Sequence, residues 1–487
     1  MNPSSYLRLP ERFFSRVGPT PVAKPRLIKF NRALGEELDL RLTAFDDDAL
    51  AKLFSGNAVP AESAPIAMVY AGHQFGHFVP QLGDGRAILL GEASDRSGQR
   101  RDIQLKGCGR TPYSRGGDGR AALGPVLREY LVSEAMHALG IPATRALAAV
   151  ASGENVKREL LLPGAIFTRV AASHVRVGTF EYFAARGDFE AVKLLADYCV
   201  ERHYPQAAQA SNVYLALLTK VIEAQASLVA RWMQVGFVHG VMNTDNMAVT
   251  GETIDFGPCA FLDTYDHAAV FSSIDSHGRY AYGNQANAAA WNLARFAETL
   301  LPLIDSNPQR AVEIAGEALA MFATHFKDRW LEGLRGKLGL SARRDDDQAL
   351  ADDLLRTMQR NQADFTLTFR GLCDAAADMS ADAQVRELFN DAREYDAWAL
   401  RWRVRLAIDD QRPAARAAAM RLVNPAYIPR NHRIEQVIAA AVEREDFSPF
   451  EDLAIVLSQP YIARAAFERY AAAPLANERV LQTFCGT

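Results

Sequence analysis

The stretch HGVMNTDNMAVTGETIDFG, from His239 to Gly257, constrains this chain more than any other. It sets an amide, Asn246, nine residues before a carboxylate, Asp255 (255 − 246 = 9), with a second acid, Asp245, directly beside the amide. Amide and carboxylate oxygens are hard ligands suited to Mg2+ or Mn2+, ions that keep their other positions for water and phosphate. The preceding run VYLALLTKVIEAQASLVARWMQV has helical spacing, so the motif follows a long helix as loop and short strand.

The frame is that of a protein-kinase catalytic loop, H-x-D-x-x-x-x-N, with D-F-G on the next strand. His239, Asn246 and Asp255-Phe256-Gly257 fall into it, but the base position is Val241, which cannot accept a proton. Asp245 can, and the base is the favoured reading; a second metal ligand or a loop-capping acid is the alternative. Lone D-F-G tripeptides occur by chance, and a turn-capping role is the bland reading of Asp255. The long-range frame favours the metal.

Phosphate chemistry also needs cations. With a net charge of −4 and a pI near 6.2, they must be concentrated locally, and nothing global argues for nucleic acid or an anionic membrane. Lys106 ends the strand DIQLKG, where a kinase lysine reaches the phosphates; its partner is Glu129 or Glu134, which periodicity does not separate. Two glycine-rich turns flank it, with Gly83 and Gly85 in QLGDGRA and Gly116, Gly117 and Gly119 in SRGGDGRA, allowing close backbone approach to phosphate. Arg86, Arg110, Arg115 and Arg120 sit on these turns, and Arg169 and Arg176 come from IFTRVAASHVRVG. Guanidinium forks suit phosphate. Surface ion pairing is the bland reading for each, most of all for Arg110, Arg115 and Arg120.

The remaining pattern predicts an α+β chain in a protein-kinase-like, two-lobed arrangement. Residues 1–60 form an N-terminal extension, 61–177 a small mixed β lobe, 178–300 a helical lobe carrying the loop, and 301–487 a helical region packed on it. RAILLGEASDRSGQRRDIQLKG reads as a hairpin, residues 146–170 as further short strands, and VLREYLVSEAMHAL after Pro125 as a helix. ARRDDDQALADD reads as a solvated face or loop. His73 and His77 in YAGHQFGHF have a helical i, i+4 spacing, but Gly72 and Gly76 argue against a helix, so a structural pair is expected. With no run of about 18 apolar residues and no apolar core in the opening segment, the expectation is a cytoplasmic protein without membrane spans. No oligomerisation stripe is visible, so a monomer is expected. The five cysteines form no C-x-x-C pair; each reads as a reduced small hydrophobe, with Cys259 a candidate redox partner.

Taken together, YAGHQFGHFVPQLGDGRAILLGE, DIQLKGCGRTPYSRGGDGRAALGPVLREYL, GVMNTDNM and IDFGPCAFLD resemble the selenoprotein O (SelO/YdiU) family. The similarity runs from RVGPTPVAKPRLIKFN near the start through NAAAWNLARFAETLLPL. The resemblance implies protein adenylylation: AMP moves from ATP, bound inverted relative to kinases, to a protein Ser, Thr or Tyr hydroxyl, with UMP transfer from UTP in some bacterial members. It implies that Lys106 pairs with Glu129; that Gly83, Gly85, Arg86, Lys106, Asp118, Gly119, Arg169, Arg176 and Asp255 contact the nucleotide; that Asp245 accepts the proton; and that Asn246 and Asp255 hold Mg2+ or Mn2+. An inverted nucleotide puts its terminal phosphates where adenine otherwise lies, which accounts for Arg169 and Arg176.

Three departures stand out. The tail ends in FCGT, where eukaryotic members carry selenocysteine, and Ala286 replaces the family's Pro. A redox link from tail to metal-binding segment, carried onto this chain, has Cys485 on one side and only Cys259 on the other, which leaves that regulation open. The rival readings are a phosphotransferase with a displaced base and a catalytically silent nucleotide-binding scaffold.

Overall fold

The computed structural model describes residues 1–42 and 44–484. The strands in chain order are β1 (Phe14–Arg16), β2 (Arg26–Phe30), β3 (Ile66–Met68), β4 (Gly72–Gln74), β5 (His77–Val79) and β6 (Ala87–Ser94). They continue with β7 (Arg100–Lys106), β8 (Ala121–Ala122), β9 (Arg145–Lys157), β10 (Leu161–Ala171), β11 (Phe237–Val238) and β12 (Ala260–Phe261). Eight of them form one antiparallel sheet in the order β1-β3-β6-β7-β10-β9-β2, with β8 paired to β10. The chain is therefore α+β.

The hairpin β6–β7 is built as its sequence suggests. Asp95 closes the turn by accepting hydrogen bonds at Oδ1 from the Ser97 and Gln99 amides, both at 3.0 Å, and Ala87 lies opposite Lys106. Lys106 is also opposite Phe167 of β10, and Gln104 opposite Arg169. This register, with a side-chain period of two, decides which residues face the site. Residues 145–171, expected as short runs, are two long strands bent by register shifts at Pro163/Ala165 and Thr168/Arg169. The N-terminal extension is not separate from the sheet, because β1 and β2 are its two outer strands.

The helix Leu123–Ala138 lies against β9 and β10 and is covered on its other side by Asn431–Arg444 and Ser448–Leu457. Helix Val213–Gln234 is capped by Asn212, whose Oδ1 accepts from the Leu215 amide at 3.0 Å, a device worth about 1 kcal/mol. By length and mean hydropathy (1.4) this helix could cross a membrane, a stretch the sequence reading passed over. Here it buries Leu217, Leu218, Val221, Ile222, Val229 and Trp232 at helical spacing, packed against Gln285–Ile304 and Pro308–Leu338. The acidic run is solvated at Asp345 and Asp346, as expected, with one exception. Asp347 is buried, bonded through Oδ2 to Arg335 Nε at 2.6 Å and through Oδ1 to Arg405 Nε at 2.7 Å.

Candidate active site

Where the ends of β6, β7 and β10 meet the loop 239–257, a cavity of about 700 Å3 opens. Gly83, Gly85, Arg86, Lys106, Asp118, Gly119, Arg169, Arg176, Asp245, Asn246 and Asp255 all line it. Glu129 does not; it stands behind Lys106. Backbone crowding explains two of the glycines. At Gly83 (φ +72) a Cβ would lie 2.4 Å from the Tyr113 ring, and at Gly119 (φ +70) 2.1 Å from the Gly109 carbonyl oxygen.

Lys106 Nζ is 2.6 Å from Glu129 Oε1 and 2.6 Å from Asp255 Oδ1. The competing glutamate is engaged elsewhere: Glu134 accepts from Arg145 Nε and the Ala146 amide, both at 2.8 Å, and from Asn31 Nδ2 at 2.8 Å. Arg169 Nη1 reaches the same Asp255 oxygen at 3.0 Å, and its Nε donates to Gln104 Oε1 at 2.7 Å. Asp255 sits at φ +63, a conformation costly for a non-glycine residue and typical of functional sites. Burial works to raise its pKa, yet Lys106, Arg169 and Arg176 outweigh that and hold the carboxyl well below its ordinary value.

Several residues at the site escaped the sequence reading. Asp84 accepts from Gln104 Nε2 and the Met68 amide at 3.0 Å and lies 3.7 Å from Arg176 Nη1. The Arg176 guanidinium stacks 4.3 Å over the Tyr70 ring. Gln104 was findable, since strand alternation puts it on the same face as Lys106. Asp84 was marked only by standing between Gly83 and Gly85. Arg158, which holds Asp118 Oδ2 at 2.8 Å and keeps its pKa low, carries no local sequence signal. Arg120 also lines the cavity but is tied down, donating to the Thr20 and Pro21 carbonyls at 3.0 and 3.1 Å and pairing with Glu154 at 3.4 Å. Arg86, Arg110 and Arg115 line the cavity with no carboxylate at ion-pair distance among the described residues.

In the loop, His239 is fully buried. Its Nε2 donates to the Ile254 carbonyl at 2.9 Å and its Nδ1 accepts from the Val241 amide at 3.3 Å, tying the start of the loop to the residue before Asp255. Burial lowers its pKa, keeping the imidazole neutral. Asn246 Nδ2 donates to the Val241 carbonyl at 3.0 Å, which leaves its Oδ1 as the free oxygen of the amide. Asp245 is buried at the cavity wall, and burial raises its pKa to about 6 against the pull of Arg176 and Gln74.

Among the described residues no group of three or more His, Cys, Asp or Glu side chains could hold a metal. Asn246 and Asp255 are nevertheless an amide oxygen and a carboxylate on one cavity, and two protein oxygens completed by water and phosphate are what Mg2+ uses. The donor set fits. Cys259 is different. Its buried Sγ donates to the Phe256 carbonyl at 3.1 Å, and burial pushes the thiol up to about 12, so it is not poised for exchange. Cys485 lies outside the described residues. The tail does reach this region: Thr483 donates through its amide to the Phe271 carbonyl at 2.7 Å and accepts from the Ser273 amide at 3.0 Å.

Comparison with known proteins gives a consistent result. A family profile described as "Protein adenylyltransferase SelO" matches residues 3–458. A "Protein nucleotidyltransferase YdiU" of Rhizobium rhizogenes is 61% identical over 99% of this chain and 96% of its own length. Proteins of the same description from Rhodopseudomonas palustris and Rhizobium meliloti are each 60% identical over 99% of this chain, and over 98% and 99% of their own lengths.

Proposed function

This chain belongs to the protein adenylyltransferase SelO family and is a nucleotidyltransferase; on that premise we propose that it moves AMP from ATP to Ser, Thr or Tyr hydroxyls of proteins, itself included, releasing pyrophosphate. The observation that carries this reading is the convergence of Lys106, Arg169 and Arg176 around Asp255 at one cavity, with Val241 in place of the kinase base and Asp245 beside Asn246. Cations buried this deep favour a triphosphate entering with its terminal phosphates first, the inverse of a kinase.

In this reading the acceptor hydroxyl oxygen bonds to the α-phosphorus, the bond from that phosphorus to the bridging oxygen breaks, and pyrophosphate leaves. The hydroxyl proton passes to Asp245. Arg86, Lys106, Arg169 and Arg176 stabilise the charge that builds on the leaving group, and donors fixed beforehand in a dry site do this most effectively. Glu129 keeps Lys106 in register. Gly83, Gly85 and Gly119 bring backbone close to the nucleotide, and Asp118, oriented by Arg158, contacts it. Asn246 and Asp255 would hold Mg2+ or Mn2+, which supplies charge neutralisation across the phosphates.

The scaffold we read as protein-kinase-like and two-lobed: 61–177 the smaller lobe, with β1 and β2 of the 1–60 extension completing its sheet, 178–300 the lobe carrying the loop, and 301–487 a helical region packed on it. We place the protein in the cytoplasm as a monomer, with UTP as the second donor to be tested.

Intact mass spectrometry tests the core of the proposal. The purified protein is incubated with ATP or UTP and Mg2+ or Mn2+, alongside Asp245→Ala and Asp255→Ala. AMP adducts on the wild type alone are expected. UMP adducts from UTP would make UMP the group transferred. Phosphate adducts would restore the kinase reading, and bound ATP without any adduct would restore the silent scaffold.

A further inference from the structure

The ribbon β4–β5 stands apart from the large sheet, and its polar contacts are aimed at the loop that carries Asp245. The His73 amide donates to Thr244 Oγ1 at 2.7 Å, Gln74 Nε2 donates to Asp245 Oδ2 at 3.2 Å, and the Phe75 amide donates to Asn243 Oδ1 at 3.0 Å. Three successive ribbon residues thus grip three successive loop residues. The ribbon is braced from behind. The Ala71 amide donates to the Gly178 carbonyl at 2.9 Å, and His73 Nδ1 lies 2.5 Å from Glu181 Oε1 while Thr244 Oγ1 donates to Glu181 Oε2. The fit leaves no slack: a Cβ on Gly72 would lie 2.5 Å from Asp245 Oδ1.

The two oxygens of Asp245 are therefore not equivalent. Oδ2 takes the Gln74 amide, whereas Oδ1 is buried and has no hydrogen-bond partner among the described residues. A general base works only when its free lone pair meets the reacting proton at hydrogen-bond distance. The geometry points to Gln74 as a positioning residue: with Oδ1 turned against Gly72, its side-chain amide fixes Asp245 Oδ2 at the cavity wall so that the second lone pair of Oδ2 receives the acceptor hydroxyl's proton, with the His73–Glu181–Thr244 chain fixing the ribbon that presents it. This rests on Asp245 being the base.

Gln74→Ala and Gln74→Glu test it through automodification with ATP, measuring the rate at saturating ATP, the ATP concentration for half-maximal rate, ATP binding by calorimetry, and Tm. The saturating rate is expected to fall about 10–100-fold in both variants, the scale set by misplacing a catalytic group. Half-saturation, ATP affinity and Tm should stay close to wild type. Gln74→Glu keeps the shape but loses the donor, so it should fall at least as far as Gln74→Ala. A merely structural role would move affinity and Tm along with rate, and that pattern overturns the proposal; so does a wild-type rate in either variant. Asp245→Ala separates the two levels. If it keeps the wild-type rate, the base assignment fails and this proposal with it; if it is inactive while Gln74→Ala is not, only the role of Gln74 fails.

Discussion

Lys337 near the end of helix Pro308–Leu338 is 3% exposed, with its ammonium 4.2 Å over the Phe369 ring and 5.4 Å over Phe365. Burial lowers its pKa from 10.5 to about 7. A depressed lysine destabilises the fold where the unfolded chain would hold the proton more tightly. The penalty is complete below pH 7 and is relieved as the pH climbs from 7 toward 10.5. At about 1.4 kcal/mol per unit the shift corresponds to roughly 5 kcal/mol, which attraction to the two rings reduces to about 3 kcal/mol. Lys337→Met keeps the volume and removes the charge, so it should stabilise the protein at neutral pH. An unfolding entropy of about 2 cal/mol/K per residue gives a chain of this length roughly 1 kcal/mol/K, hence a rise in Tm of about 3 °C at pH 7. Differential scanning fluorimetry of both proteins at pH 7 and pH 10 reads this directly. A gain at pH 7 that shrinks at pH 10 is expected. A gain of equal size at both values, or a loss at pH 7, would refute the reasoning.

Three further outcomes follow from the contacts. Glu129→Gln should cut automodification about 100-fold by releasing Lys106, whereas Glu134→Gln should retain activity and lower Tm, since Glu134 anchors Arg145, Asn31 and the Ala146 amide; activity and melting assays on the pair separate the roles. Gly72→Ala drives a Cβ against Asp245 Oδ1 and should abolish transfer while ATP still binds, checked by calorimetry beside the mass assay. Asp347→Asn should destabilise by roughly 3 kcal/mol, because it weakens the anchorage of buried Arg405 and of Arg335, measurable as a lower Tm.

The loop 239–257 was legible as a candidate site because its information is local in sequence. Asn246, Asp255 and Asp245 fall in one stretch of eleven residues (255 − 245 + 1 = 11), and their oxygen-donor character follows from residue type alone. The hairpin β6–β7 and the helix Val213–Gln234 were legible for a similar reason, their periods of two and 3.6 being written in short windows. Other features were not local. Residues 145–171 were read as several short runs because their turn residues are absorbed as register shifts within two long strands. Asp347 looked like one more solvated acid in its run until Arg405, 58 residues away (405 − 347 = 58), was folded onto it.

By itself, then, the sequence determined an α+β chain and set an amide, two carboxylates and a group of cations in short motifs. Residue type and short spacing are sufficient for those. Only the tertiary structure decided which of them meet. Glu129 and Glu134 share one helix, and their five-residue separation puts them on different faces; which face looks at Lys106 depends on how that helix lies across β9 and β10. Gln74 and Asp245 are 171 residues apart, and no period links them. Their contact exists because the ribbon β4–β5 is pinned against the loop through Gly178 and Glu181, and backbone packing of that kind is written in no local pattern.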